Sequence, residues 1–175
     1  MNICNLLLAD IANGIGIRLS VFVSGCKNHC PGCFQPETWD FEFGVPYSKE
    51  LEEKIIHELS KPHYDGITIL GGEPMEKENQ AGVKTLIRRV KEYLPEKTVW
   101  IYTGYTYEKD LIYGGSRYTA DTDWILDHTD VLVDGRFVES QKDISLQFRG
   151  SRNQRIIDMK NTRKNKGIIL CEQYQ

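Results

Sequence analysis

The sequence predicts an α/β fold: a mostly parallel sheet curled into an incomplete, partial βα barrel. Three observations carry this. Short β-rich runs alternate with helical stretches, the pattern of successive βα units. Turn residues gather at the carboxyl ends of the strands, as SGC, LGGEP, YTG and VDG, and that is the edge where parallel α/β folds bind ligands. The chain has 175 residues, whereas a closed eightfold barrel takes ~250. About five or six strands are expected, with an open side able to admit something large.

The elements follow in order. Ile17 to Ser24 (IRLSVFVS) is a short β-rich run with partial alternation, read as the first strand. A cysteine-bearing loop follows it directly. Ser48 is placed to cap a helix whose apolar residues Leu51, Ile55 and Leu59 stand four apart on one face. GITIL then reads as a buried strand ending in Gly71-Gly72-Glu73-Pro74. A second helix is expected from about Asn79 to Leu94, with Val83, Leu86, Ile87, Val90 and Leu94 inward. TVWIYTG is a strand ending at Gly104, Ala120 to His128 is a helical stretch, and Asp130 to Asp134 (DVLVD) is a further strand. No repeat or low-complexity linker divides residues 1–175, so one domain is expected.

The net charge of −3 and the lack of a sustained basic patch argue against a nucleic-acid partner. The segment Arg149 to Lys166 is locally basic, either a solvated surface or a dock for an acidic partner. The first residues, MNICNLLLADIANG, lack a basic leader region. No window approaches the ~18 apolar residues of a membrane span. A cytoplasmic location is therefore expected. In a reducing compartment, clustered cysteines serve metals or catalysis more often than disulfides.

Three of the five cysteines crowd into CKNHCPGCF: Cys26, Cys30 and Cys33. Pro31 and Gly32 oppose a regular helix there, so a loop turning its thiols inward is expected. Three readings are open. Incidental buried thiols fit poorly with so dense a trio. Structural zinc wants four ligands, and His29 adjoins Cys30 too closely to aim at the same ion, while Cys4 and Cys171 are distant in sequence. An iron–sulfur cluster held by three thiolates would leave one iron open, where electron-transfer 4Fe–4S clusters use four cysteines. Open positions mark catalytic metal sites.

The C-x3-C-x2-C spacing after a first strand resembles the signature of radical S-adenosylmethionine enzymes, and Gly71-Gly72-Glu73-Pro74 resembles that family's GGEP segment. Within the family, an aromatic residue often precedes the third cysteine. Here Gly32 stands there and Phe34 follows. That departure points to a subgroup. DIANGIGIR, SGCKNHCPGCF, LGGEP, YTGY, VLVDGRF and RGSRNQRIID, spread from Asp10 to Asp158, together resemble the activating components of anaerobic ribonucleoside-triphosphate reductases. Ile15 replaces a usual proline and Arg152 a common serine, which touches loop details only.

The resemblance implies a single radical S-adenosylmethionine domain over residues 1–175 and a partial barrel of that type. It implies a 4Fe–4S cluster on Cys26, Cys30 and Cys33, and S-adenosyl-L-methionine bound by Gly32, Cys33, Phe34, Gly71, Gly72 and Glu73. The backbone and acid of the GGEP turn would meet the methionine ammonium, and Phe34 would lie near adenine or simply pack. The implied reaction is installation of a glycyl radical on the C-terminal glycine loop of the reductase large subunit, with a reduced flavodoxin-type donor. No catalytic side chain is expected beyond the ligands, since the cofactors carry the chemistry.

Other residues carry looser expectations. Thr103 and Asp134 end strands at the cofactor edge, as cofactor or cation contacts or as turn caps. Asn13, Gly14, Gly16 and Arg18 are expected to loop over the same edge. Asn153, Gln154 and Arg155 would shape the docking side. The tyrosine-rich middle (Tyr102, Tyr105, Tyr107, Tyr113, Tyr118) suits an interface or an irregular core edge, and Cys4 and Cys171 are expected to be structural thiols. Two alternatives stay open: an activase for another glycyl radical enzyme of the formate acetyltransferase type, and a zinc-stabilised binding module.

Overall fold

The computed structural model of the protein describes residues 1–174; Gln175, the last residue of the expected domain, lies outside them. The elements run β1 (Asn2–Asp10), β2 (Arg18–Val23), β3 (Val45–Pro46), α1 (Lys49–Leu59), β4 (Gly66–Gly71), α2 (Lys77–Tyr93), β5 (Thr98–Tyr102), α3 (Thr122–Asp127), β6 (Val131–Asp134), β7 (Arg155–Asp158) and α4 (Met159–Asn165). They build a mixed α/β fold on one seven-stranded sheet, in the order β3-β1-β2-β4-β5-β6-β7. The middle is parallel: β2 pairs with β4, β4 with β5 and β5 with β6. Both flanks are antiparallel, through β1 on one side and β7 on the other.

Period-two alternation sorts the strand residues onto two faces. Leu19, Val21 and Val23 of β2, Ile67 and Ile69 of β4, Val99 and Ile101 of β5 and Leu132 of β6 are fully buried in one apolar cluster. The same cluster takes in Ile55 and Leu59 of α1, Val83, Leu86, Ile87 and Val90 of α2 and Ile125 and Leu126 of α3. The helices therefore share one face, as their apolar spacing requires. Ser48 caps α1 as expected, its hydroxyl accepting from the Leu51 amide at 3.3 Å.

Three of the seven strands, β1, the two-residue β3 and β7, are not among the four that the sequence names. In β1 the register shifts twice, between Ile3 and Asn5 and between Leu7 and Asp10, so the inward positions never alternate cleanly along the chain. The four-residue β7 has charged residues at both ends. Recognising β1 also corrects the side on which one loop lies. Because β1 and β2 are antiparallel, the turn between them, with Asn13, Gly14 and Gly16, falls at the amino end of β2. That is the sheet edge opposite the cysteines, and Arg18 begins β2 there beside Gly66 of β4.

Arg18 closes this lower end from within the second face. It is 1% exposed and donates five hydrogen bonds, all to neutral oxygens. Its partners are the Thr68 hydroxyl (2.6 Å), the Thr98 hydroxyl (3.0 Å) and the carbonyls of Ile15 (3.1 Å), Ile67 (2.6 Å) and Thr98 (3.1 Å). Burial holds its guanidinium down to about 10. The Trp100 ring lies 5.3 Å from its charged centre, a favourable cation–π approach. Nearby, Asp10 accepts from the Ala12 amide (2.8 Å) and the Asn13 amide group (2.7 Å), which pins the turn.

Removing the Arg18 side chain strands several buried acceptors at once, each costing ~1–3 kcal/mol when left unmade. R18A is therefore expected to lose about 3 kcal/mol or more of stability, read as a lower midpoint in urea unfolding of the apoprotein.

Candidate functional site

The carboxyl ends of the parallel strands surround a cavity of about 270 Å³. Its lining includes Cys26, Cys30, Cys33, Gly71, Gly72 and Glu73, together with Phe34. The motif cysteines and the glycine turn, some forty residues apart in sequence, thus meet in one place. Gly32, in contrast, is not part of the cavity lining. It takes a left-handed φ of +73° in the loop between two cysteines, and a side-chain carbon there would come within 3.1–3.2 Å of the Glu139 carboxyl group.

The cysteine loop is held from several directions. The Gly25 amide donates to the Thr38 carbonyl (2.8 Å), the Cys26 amide to the Trp39 carbonyl (3.1 Å), and the Cys33 amide to the Cys30 carbonyl (3.1 Å). The Lys27 amide donates to Glu76 Oε1 at 2.9 Å, and the Asn28 amide group to Glu73 Oε2 at 3.2 Å. His29 stacks on Trp39, ring centroids 4.5 Å apart. From across the mouth, Arg136 donates through Nε to Cys30 Sγ at 3.3 Å and through Nη2 to the Asn28 carbonyl. Cys26 is buried, while Cys30 and Cys33 are half-buried. Burial pushes the Cys26 thiol up to about 12, and a coordinating metal would displace that proton outright.

Glycine at 72 is required by close approach. A side-chain carbon there would stand 2.8 Å from the Thr38 carbonyl oxygen and 2.9 Å from that of Gly25, inside any real contact. Gly71 has φ +108°, a region that L side chains rarely enter. The turn therefore presents bare backbone to the cavity.

Glu73 is 1% exposed, and its two oxygens receive four donors. Oε1 takes the Thr103 hydroxyl (2.7 Å) and the Met75 amide (2.9 Å). Oε2 takes the Gly104 amide (2.7 Å) and the Asn28 side chain (3.2 Å). A carboxylate has about four lone-pair positions, so this one is saturated by the protein. Its side chain braces the end of β4 to the end of β5 and to the cysteine loop. Burial raises Glu73 to about 7 against the hydrogen bonds that pull it down, with the Glu76 carboxylate adding to the rise.

The remaining sequence candidates find other tasks. Thr103 is spent on Glu73. Asp134 is buried against Arg155 (2.8 and 2.5 Å) and accepts from the Tyr107 amide at 2.9 Å. Asn153 donates to the Arg136 carbonyl (2.8 Å) and Gln154 to the Gly135 carbonyl (3.0 Å), so they anchor the β6–β7 loop beside the cavity. Much of the basic segment pairs internally: Arg152 with Asp143, Arg155 with Glu108 and Asp134, and Arg163 with Asp123 and Asp127. Phe34 is 76% exposed at the rim, 6.0 Å from the Phe137 ring and under the Lys142 ammonium. Tyr105 and Tyr118 bond internally to Glu76 and Asp123, while Tyr113 is exposed. Sequence reasoning missed Asn28, Trp39 and Arg136 around the thiols. An aromatic and an arginine following strand-end loops were the available signals.

These residues fit an iron–sulfur cluster. Three thiols border one cavity whose wall is close-packed glycine backbone, and the buried Tyr102 hydroxyl, on a cavity-lining residue, has no partner. Among the described residues no three His, Cys, Asp or Glu side chains converge as ligands of a single ion. Among the described residues, no helix is long and apolar enough to cross a membrane.

The class defined by this sheet and its cysteine-lined edge is an iron–sulfur protein: residues 12–157 match the family model of a 4Fe-4S single cluster domain. Relatives make it narrower. The chain is 40% identical over 147 residues to the anaerobic ribonucleoside-triphosphate reductase-activating protein of Salmonella typhimurium, covering 83% of this chain and 90% of that one. To the protein of that name from Escherichia coli (strain K12) it is 38% identical over the same shares. To that of Enterobacteria phage T4 it is 32% identical, over 89% of this chain and 93% of the other. The chain belongs to the family of anaerobic ribonucleoside-triphosphate reductase-activating proteins.

The raised Glu73 acid makes a pH prediction. With a folded value near 7 and an unfolded one near 4.5, the folded state binds more protons between these limits. Its contribution to stability is full below about pH 4.5, declines through the interval and is gone above about pH 7. Urea midpoints of the apoprotein from pH 4.5 to 8 should show this decline in the wild type and a shallower one in E73Q.

Proposed function

We propose that this protein activates an anaerobic ribonucleoside-triphosphate reductase by generating a glycyl radical on it, as an oxidoreductase of the radical S-adenosylmethionine class. The observation that carries the reading is the meeting of Cys26, Cys30 and Cys33 with the Gly71-Gly72-Glu73 turn in one cavity at the carboxyl edge of the parallel strands. The names of the relatives support the choice of partner. They favour the reductase over a formate acetyltransferase type, and the family match favours iron–sulfur over zinc.

Cys26, Cys30 and Cys33 would hold a 4Fe–4S cluster, leaving one iron for the methionine amino and carboxylate groups of S-adenosyl-L-methionine. The chemistry such a cluster would supply is one electron, received from a flavodoxin-type donor, for cleavage of S-adenosyl-L-methionine to methionine and a 5′-deoxyadenosyl radical, which would take one hydrogen atom from the glycine Cα of the partner. The protein's own residues bind, orient and shield. Gly71 and Gly72, which line the cavity, would offer backbone to the methionine ammonium. Glu73 braces that backbone from behind while its oxygens stay committed to their four donors. Gly32 lets the loop turn between Cys30 and Cys33. Phe34 and Phe137 offer apolar surface at the rim. On this reading the open sheet is a partial barrel, residues 1–175 act as one radical S-adenosylmethionine domain, and the protein works in the cytoplasm on a polypeptide that enters through the open side.

After anaerobic iron–sulfide reconstitution and reduction, the protein should convert S-adenosyl-L-methionine to 5′-deoxyadenosine. C26A, C30A and C33A should each fall to background. Mixing with the reductase should give a glycyl radical signal in electron paramagnetic resonance. Full 5′-deoxyadenosine formation by all three variants, or a tightly held zinc with no iron or sulfide, would sink the reading.

A further inference from the structure

The contact between Arg136 and the cysteine loop has no part in the reaction described so far. Arg136 follows Gly135, which turns at φ +101° just after the end of β6. Both residues are pinned from the β7 side: Asn153 donates to the Arg136 carbonyl and Gln154 to the Gly135 carbonyl. On the other side the Gly135 amide donates to the Tyr105 carbonyl at 3.0 Å. The backbone that aims this side chain is therefore fixed at three points. Its guanidinium spans to the cysteine loop, where Nε meets Cys30 Sγ at 3.3 Å and Nη2 meets the Asn28 carbonyl. A planar guanidinium offers its donors in a rigid fork, and here the fork grips one sulfur and one backbone oxygen of the same loop.

We propose that Arg136 is a positioning residue that tunes the cluster through the Cys30 sulfur, making the cluster easier to reduce. The inference rests on Cys30 being a cluster ligand, as proposed above. Hydrogen bonds to ligating sulfurs and nearby charge set the potential of iron–sulfur centres. Reduction adds one negative charge to the centre, and a cation hydrogen-bonded to one of its thiolates stabilises that added charge more than it stabilises the oxidised form. Arg136 is itself exposed to solvent, so screening limits the effect to a modest one.

The test compares wild type, R136Q and R152Q, each reconstituted with iron and sulfide. R152Q removes an equal charge from an arginine that pairs with Asp143 instead. The readout is the ratio of reduced to oxidised cluster at fixed solution potentials, set with a low-potential reductant and mediators and followed by electron paramagnetic resonance. R136Q is expected to lower that ratio by about tenfold, equivalent to about 59 mV for a one-electron couple, with R152Q unchanged. A fall in R136Q of less than about threefold, or an equal fall in R152Q, overturns the proposal. Failure of R136Q to retain iron also overturns it, because Arg136 would then be a structural support. C30A is assayed in parallel for iron and sulfide. A full, spectroscopically unaltered cluster in C30A would show instead that the ligand reading is at fault.

Discussion

The Glu73 carboxylate receives the Thr103 hydroxyl, the Met75 and Gly104 amides and the Asn28 side chain, and the geometry of the cavity depends on that convergence. Three segments that would otherwise be independent loops, those following β2, β4 and β5, end on the same pair of oxygens. A buried carboxylate is tolerable only because its lone pairs are filled. In return it fixes the spacing between the glycine turn and the cysteine loop. Glu76 repeats the arrangement one turn further on. It is fully buried and joins the Lys27 amide to the Tyr105 hydroxyl. Two acids at the start of α2 thus organise the edge, while the apolar cluster beneath the sheet holds the strands that present it.

The sequence made the centre of this arrangement legible and its frame much less so. Cys26, Cys30, Cys33 and the Gly71-Gly72-Glu73 turn were readable because each is a compact local pattern whose chemistry leaves few alternatives. The helices were readable because Ile55 and Leu59, or Val83, Leu86 and Val90, recur at helical spacing. The first strand was not, because its register shifts break the alternation that marks a half-buried strand. That omission had a consequence. Without β1 as an antiparallel partner, the turn containing Asn13 and Gly14 was assigned to the wrong edge of the sheet. Arg136 was invisible for a different reason: it reaches Asn28 across 108 positions, and no local pattern encodes such a contact. Glu73 was found but its four protein donors were not, since two of them, Thr103 and Gly104, come from a strand end some thirty positions away and a third, Asn28, from the cysteine loop.

Arginine usage divides similarly. A run of basic residues near the carboxyl end reads in sequence as either a solvated surface or a dock for an acidic partner. Arg155 instead bridges Asp134 and Glu108, and Arg163 bridges Asp123 and Asp127, so these cations tie β7 and α4 back onto the segments before them. Arg18 is the opposite case, a buried cation satisfied wholly by neutral oxygens. It plugs the lower end of the face whose upper end is the cavity.

Protein groups hold the cysteine loop: the carbonyls of Thr38 and Trp39, the carboxylates of Glu73 and Glu76, the Trp39 ring and the guanidinium of Arg136. None of the residues that fill the main apolar cluster is a motif cysteine. Small zinc-folded domains stand at the other extreme, where removing the metal dissolves the fold. Here the cysteine loop is tied to the fold by protein groups that are separate from its three thiols, so its attachment and its chemistry rest on different atoms.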